Sequence, residues 1–228
     1  MWDELGLIVG AYVLGSLPLM YLLGRLHGIN LREFDDMHIA LWRNVSRVEG
    51  LLGITFDFAK GVIAVLAARA LGFDAGWVAF AGVAAVAGQM WPVFFKFSDG
   101  ERGNTVGLAM SGALATKAML IALVFVLIGA AIRTIPRWLQ SDQTLNERLE
   151  LGGPPSLSLP LGMAVGFAVL PVSAWLMGQP LEVILALVVL FAIIMGRRLT
   201  VGVVEDLRQP SGKKIMLLNR LLFDRNRI

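Results

Sequence analysis

Six long apolar stretches divide this chain, at about Leu5–Leu26, Leu51–Leu71, Gly76–Phe97, Val106–Ile132, Leu157–Met177 and Leu181–Met195, with short polar segments between them. Most approach the roughly 20 residues that an α-helix needs to cross the apolar core of a bilayer. The alternation of polar and apolar positions that marks a transmembrane β-strand is absent from the sequence. In hydrocarbon only helices and closed barrels satisfy their own backbone groups, so the pattern predicts an all-α integral membrane protein. The expected organisation is one multi-pass bundle over residues 1–200, followed by a basic amphipathic tail over residues 201–228.

Composition changes this picture little and narrows the alternatives. Hydrophobic residues make up 57% of the chain and charged residues 16%, with a mean hydropathy of +0.71, far from the balance of a soluble domain. Membrane lipids are the expected surroundings, and a nucleic-acid partner is not. The first stretch begins with Asp3 and Glu4 and is followed by Gly24-Arg25-Leu26-His27-Gly28 instead of a small-residue cleavage site, so it should persist as a helix.

Charge sets the topology. Arg197, Arg198, Arg208, Lys213, Lys214, Arg220, Arg225 and Arg227 follow the last stretch, and Arg32, Arg43 and Arg47 follow the first. Both segments should face the cytoplasm by the positive-inside rule, with the N-terminus outside. Six uninterrupted spans cannot satisfy that parity. The run Val106–Ile132 therefore should break into a hairpin of two short helices near Lys117, making about seven helical elements with the fourth and fifth short.

Cysteine is absent, which excludes disulfides, thiolate nucleophiles and Cys-ligated metal centres. No cofactor and no metal are expected. The two histidines, His27 and His38, are too few for a multi-histidine cage, and a mixed site near Asp35, Asp36 and His38 is the arrangement left open. The polar segment with the clearest chemistry is Ser98-Asp99-Gly100-Glu101-Arg102-Gly103-Asn104-Thr105. Gly100 and Gly103 let backbone N–H groups approach an anion, Arg102 supplies a charged fork, and Asn104 or Thr105 can open the next helix. An ordinary interfacial turn with an N-cap has the same composition.

Gly15-Ser16-Leu17-Pro18, Gly28-Ile29-Asn30-Leu31-Arg32, Asn44 to Gly50 with Arg47, Asp57-Phe58-Ala59-Lys60-Gly61 and Gly88 to Phe97 follow one another in an order and spacing that resembles the bacterial acyl-phosphate:glycerol-3-phosphate acyltransferase family. The resemblance implies a bundle of seven helical elements in the bacterial inner membrane. It also implies transfer of an acyl group from acyl phosphate to glycerol 3-phosphate in phospholipid synthesis. Judged by residue chemistry alone, the catalytic candidates for that reaction are His38 or Asp36, to accept the hydroxyl proton, and Asn44, to stabilise the oxyanion. Arg43, Arg47, Gly100, Arg102, Gly103, Asn104, Thr105, Ser156 and Ser158 would bind substrate.

The chain departs from the family pattern at definite places. Asp36 stands where the family has a serine, Gly88-Gln89 replaces a Gly-His pair, and Asp99-Gly100-Glu101-Arg102-Gly103 replaces a Gly-Gly-Lys-Gly loop. Arg197-Arg198-Leu199-Thr200-Val201 lacks the histidine and asparagine of the terminal motif. A catalytically degenerate relative, serving as a lipid-binding or structural subunit of a membrane complex, is the alternative function. The insert at 133–155, expected to form a short surface helix from Pro136, and the tail are the segments that such a partner would meet. Asp57 and Lys60, three residues apart on one helical face, should pair inside the bundle.

Overall fold

The computed structural model describes residues 2–34, 36–98, 100–139, 157–203 and 213–224. Within them the regular structure is helical: α1 (Trp2–Ser16), α2 (Leu19–Leu26), α3 (Met37–Asn44), α4 (Arg47–Ala70), α5 (Ala75–Met90), α6 (Asn104–Leu114), α7 (Thr116–Trp138), α8 (Ser158–Leu176), α9 (Leu181–Thr200) and α10 (Lys213–Phe223), with 3-10 turns at Leu31–Glu33 and Val93–Phe95. Among the described residues, six segments are long and apolar enough to cross a membrane: Trp2–Leu26, Arg47–Ala70, Ala75–Phe95, Thr116–Pro136, Ser158–Leu176 and Leu181–Thr200. The chain is a multi-pass membrane protein.

Local sequence explains most of the boundaries. Pro18, which has no N–H to donate, separates α1 from α2 within the first span. The Ser46 hydroxyl caps α4 by accepting from the Glu49 N–H at 3.1 Å, and Asp36 caps α3 by accepting from the Ile39 N–H at 3.1 Å. Glu182 lies in the first turn of α9 after Pro180, where its charge suits the helix dipole.

Small residues set the packing. Lipid tails are as apolar as leucine, so helices in a membrane are held by close van der Waals contact more than by exclusion of water. Helix α1 lies along α5, α4 along α5 and α6, and α7 along α8. A Cβ added at Gly15 would collide with the Ala85 carbonyl, and one at Gly88 with the carbonyl of Tyr12. Gly129 and Gly162 play the same part where α7 crosses α8, each lying against backbone of the other helix.

The expected break in the fourth apolar run is present, with a different division. The chain turns at Ala115, two residues before Lys117, and the second arm continues past Ile132 to Trp138, so α7 is a full span. The first arm is short because of where it starts. Gly61, in the middle of α4, lies against the Val106 carbonyl and the Met110 nitrogen, so α6 begins alongside the centre of α4 and the 100–103 segment reaches inward to meet it. At the other end of α6 the Arg69 guanidinium donates to the Ala113 and Leu114 carbonyls at 2.8 and 3.0 Å, closing the helix terminus. Pro136, expected to start a separate surface helix, is inside α7; the insert from 140 to 155 lies outside the described residues. Helix α10 packs against α8 and α9 through Met216, Asn219 and Arg220, leaving Ile215, Leu217 and Leu218 exposed.

Candidate active site

The inward-reaching loop is possible only because its backbone is satisfied by protein. Non-helical backbone at membrane depth needs partners for each N–H and C=O. Arg197, at the end of α9, donates to the Gly100 carbonyl at 2.6 Å and to the Glu101 carbonyl at 3.4 Å, and its guanidinium stands 5.6 Å from the centre of the Trp91 ring. The Glu101 N–H in turn donates to the Gln89 carbonyl at 3.1 Å. Gly100 is required here, since a Cβ would strike the carbonyls of Gln89 and Met90, and Gly103 adopts φ +71° as it leads into α6.

This docking brings three helices and the loop to one polar cluster. His38 from α3 places Nε2 at 3.1 Å from Glu101 Oε2 and 3.4 Å from Asp57 Oδ2. The Lys60 ammonium is 2.7 Å from Asp57 Oδ1, the buried pair expected from their spacing. Gln89, near the end of α5, donates from Nε2 to Asp57 Oδ2 at 2.7 Å and to Glu101 Oε2 at 3.1 Å. Burial by itself would push the His38 imidazole down; the Glu101 charge and hydrogen bond, joined by Asp57 and Asp36, outweigh it and hold the ring up at about 9. Burial pushes the Glu101 carboxyl up, and the His38 charge and hydrogen bond, with Lys60 and Arg102, bring it below its usual range. Asp57, Lys60, Gln89 and Glu101 of this cluster line one wall of a pocket of about 330 Å³, mouth included, whose other wall is the α1–α2 bend from Gly15 to Tyr21.

The residues expected from the sequence are distributed unevenly around this pocket. Gly100 lines it, and His38 is in the cluster. Asp36 is engaged as the α3 cap, and Asn44 donates from Nδ2 to the Ala40 carbonyl of its own helix at 3.0 Å. Arg43 and Arg47 are exposed where α3 passes into α4. Arg102 pairs through Nε with Asp224 Oδ2, just beyond α10, at 2.7 Å. Asn104 and Thr105 form the first turn of α6, and Asn104 Oδ1 is buried with no hydrogen-bond partner among the described residues. Ser158 opens α8 at its crossing with α7, away from the residues lining the pocket. Ser156, Asp35 and Asp99 lie outside the described residues. The sequence did not single out Gln89 and Glu101 as site residues, although both had been noted as departures from the family pattern. That shared departure was the available signal.

A sequence model of the glycerol-3-phosphate acyltransferase family matches residues 5–201. The chain belongs to that family. Among its relatives is a glycerol-3-phosphate acyltransferase of Trichlorobacter lovleyi, 42% identical over 132 residues that make up 56% of this chain and 68% of the relative. One of Geobacter metallireducens is 37% identical over 124 residues, covering 53% of this chain and 63% of the relative. The matched stretch therefore spans about two thirds of the length of these relatives. The fold of this family member is similar to crystal structures of PlsY, an integral membrane glycerol 3-phosphate acyltransferase, in its glycerol 3-phosphate and lysophosphatidic acid forms. Those likenesses have TM-scores of 0.68 and 0.65 at 23% identity, covering 95% of this chain and 98% of PlsY.

Proposed function

We propose that the protein transfers an acyl group from an acyl phosphate to a hydroxyl of glycerol 3-phosphate, at the pocket between the α1–α2 bend and the loop leading into α6. The observation that carries this reading is the family match over residues 5–201. The reaction needs anchors for phosphate, an acceptor for the hydroxyl proton and donors for the developing oxyanion. Arg102 and the N–H groups of Gly103, Asn104 and Thr105 at the start of α6 supply the anion-binding end, where the helix dipole adds its positive pole. Arg43 and Arg47 add positive charge at the exposed turn between α3 and α4. Asn44 offers an amide from the last turn of α3. His38, charged near neutral pH, acts as a donor to an oxyanion or phosphate, and proton acceptance falls to the carboxylates of Glu101 and Asp57. Ser156 and Ser158 have no assigned part in this geometry.

The segments bearing Arg43, Arg47, the loop and α10 share one face of the bundle, and by the positive-inside rule this face is placed in the cytoplasm. The membrane is assigned as the bacterial inner membrane, with the N-terminus outside.

The test uses purified protein in detergent or bicelles with acyl phosphate and glycerol 3-phosphate, following inorganic phosphate release and lysophosphatidic acid formation against an empty-membrane control. Turnover is expected. Arg102→Ala should raise KM for glycerol 3-phosphate by about 10–100-fold, the worth of one charge-assisted hydrogen bond. An unchanged KM would remove Arg102 from the anchoring role. No turnover by folded protein would overturn the acyltransferase reading and leave the non-catalytic lipid-binding alternative.

A further inference from the structure

One nitrogen of His38 faces two carboxylates. The separations from Nε2 are 3.1 Å to Glu101 Oε2 and 3.4 Å to Asp57 Oδ2, and one ligand atom from each of the three residues falls within 4.8 Å of the others. A ring nitrogen carries at most one N–H, which serves one of these oxygens well and the other poorly. A cation bonded to all three at the zinc distances of about 2.0–2.1 Å would set tetrahedral neighbours about 3.3 Å apart. The two His38 separations straddle that value.

From this geometry we infer that His38, Asp57 and Glu101 form a binding site for a divalent first-row transition cation of the zinc class. Imidazole with two carboxylates is a donor set that suits such an ion better than the all-oxygen surroundings preferred by calcium or magnesium. The outer partners are already in place. Lys60 holds Asp57 Oδ1, which leaves Oδ2 turned toward the cluster. Gln89 donates to the same two oxygens that serve as ligands, the arrangement that orients metal-bound carboxylates. Gln89 is only 5% exposed, and its amide oxygen is buried with no hydrogen-bond partner among the described residues. A half-turn of that amide would exchange its two donated hydrogen bonds for coordination by the oxygen as a fourth ligand; without the half-turn, water takes the fourth position.

The cation also changes the local charge. Without it His38, Lys60, Asp57 and Glu101 sum to zero; a dication that takes the place of the His38 proton raises the sum to one positive charge, favourable beside an anionic substrate. This consequence rests on the acyltransferase reading, in which a bound cation would take over the donor part that charged His38 plays without it; binding of the cation does not rest on that reading.

The full chain, purified in detergent, stripped with a chelator and dialysed, is titrated with zinc chloride alone by calorimetry, and bound zinc is counted after gel filtration. One zinc per chain is expected. His38→Ala and Glu101→Gln should each abolish stoichiometric binding, Gln89→Leu should weaken it about 10–100-fold, and His27→Ala should leave it intact. Absence of stoichiometric zinc on folded protein, or undiminished zinc on the folded His38→Ala/Glu101→Gln variant, overturns the site. Should the variants misfold, cobalt(II) loaded into the unaltered protein decides the matter. Visible bands of a four-coordinate nitrogen–oxygen site support the assignment, and the spectrum of the hexaaqua ion overturns it. Protein that binds one zinc but transfers no acyl group keeps the site and loses the enzymatic reading; turnover without zinc binding does the reverse.

Discussion

Lys60 and Asp57 lie one turn apart on α4, 4% and 1% exposed, and their pairing at 2.7 Å is what makes two charges tolerable there. Lys60→Met leaves the carboxylate with His38 and Gln89 still facing it, so the expected cost is near the lower end for a broken buried pair, about 3 kcal/mol. Thermal unfolding in detergent with chelator measures it. Adding Asp57→Asn to that variant should recover part of the loss, because an amide needs no counter-charge; a further loss would show that Asp57 owes its ionised state to partners other than Lys60. This pair was legible in the sequence, since spacing along one helix fixes which side chains meet. His38 and Glu101 were not, because they stand on different elements, 63 positions apart, and nothing local to either dictates their contact.

At the scale of elements, the positions of two helices depend on single residues. Gly88 lets α5 meet α1 at the Tyr12 backbone, beside the hydrogen bond from the Tyr12 hydroxyl to the Trp91 carbonyl. Gly88→Val should force the pair apart and cost at least the 1–3 kcal/mol typical of overpacking, read as a fall in melting temperature. An unaltered melting temperature would mean that the α1–α5 contact is not closely packed. Arg69→Met removes both donors from the end of α6 and should destabilise by about 1–3 kcal/mol, the penalty of unsatisfied carbonyls. The break itself was readable from charge parity, as a turn near Lys117. Its position at Ala115 and the unequal arms were not, because the start of α6 is set by how far the loop reaches along α4, a matter of tertiary contact.

For the whole molecule, the absence of cysteine gives a clean test of topology. Asp74 and Lys213 are both exposed, the first in the turn between α4 and α5 and the second at the start of α10. In intact cells with a permeable outer membrane, Asp74→Cys should react with a membrane-impermeant maleimide and Lys213→Cys should not. The opposite pattern would invert the proposed orientation. The sequence alone determined the solvent, the helical class and the family, since length of apolar run, charge distribution and motif order are properties of local segments and their succession. It also singled out Gly100 and Gly103, whose close backbone approach and positive φ the loop requires. Only the tertiary structure decided that this loop reaches inward beside α4, that Arg197 satisfies its carbonyls, and that His38, Asp57, Gln89 and Glu101 converge. The physical reason is that helix depth and crossing are fixed by small-residue contacts and backbone hydrogen bonds between distant segments, which the local pattern of hydrophobic positions does not encode.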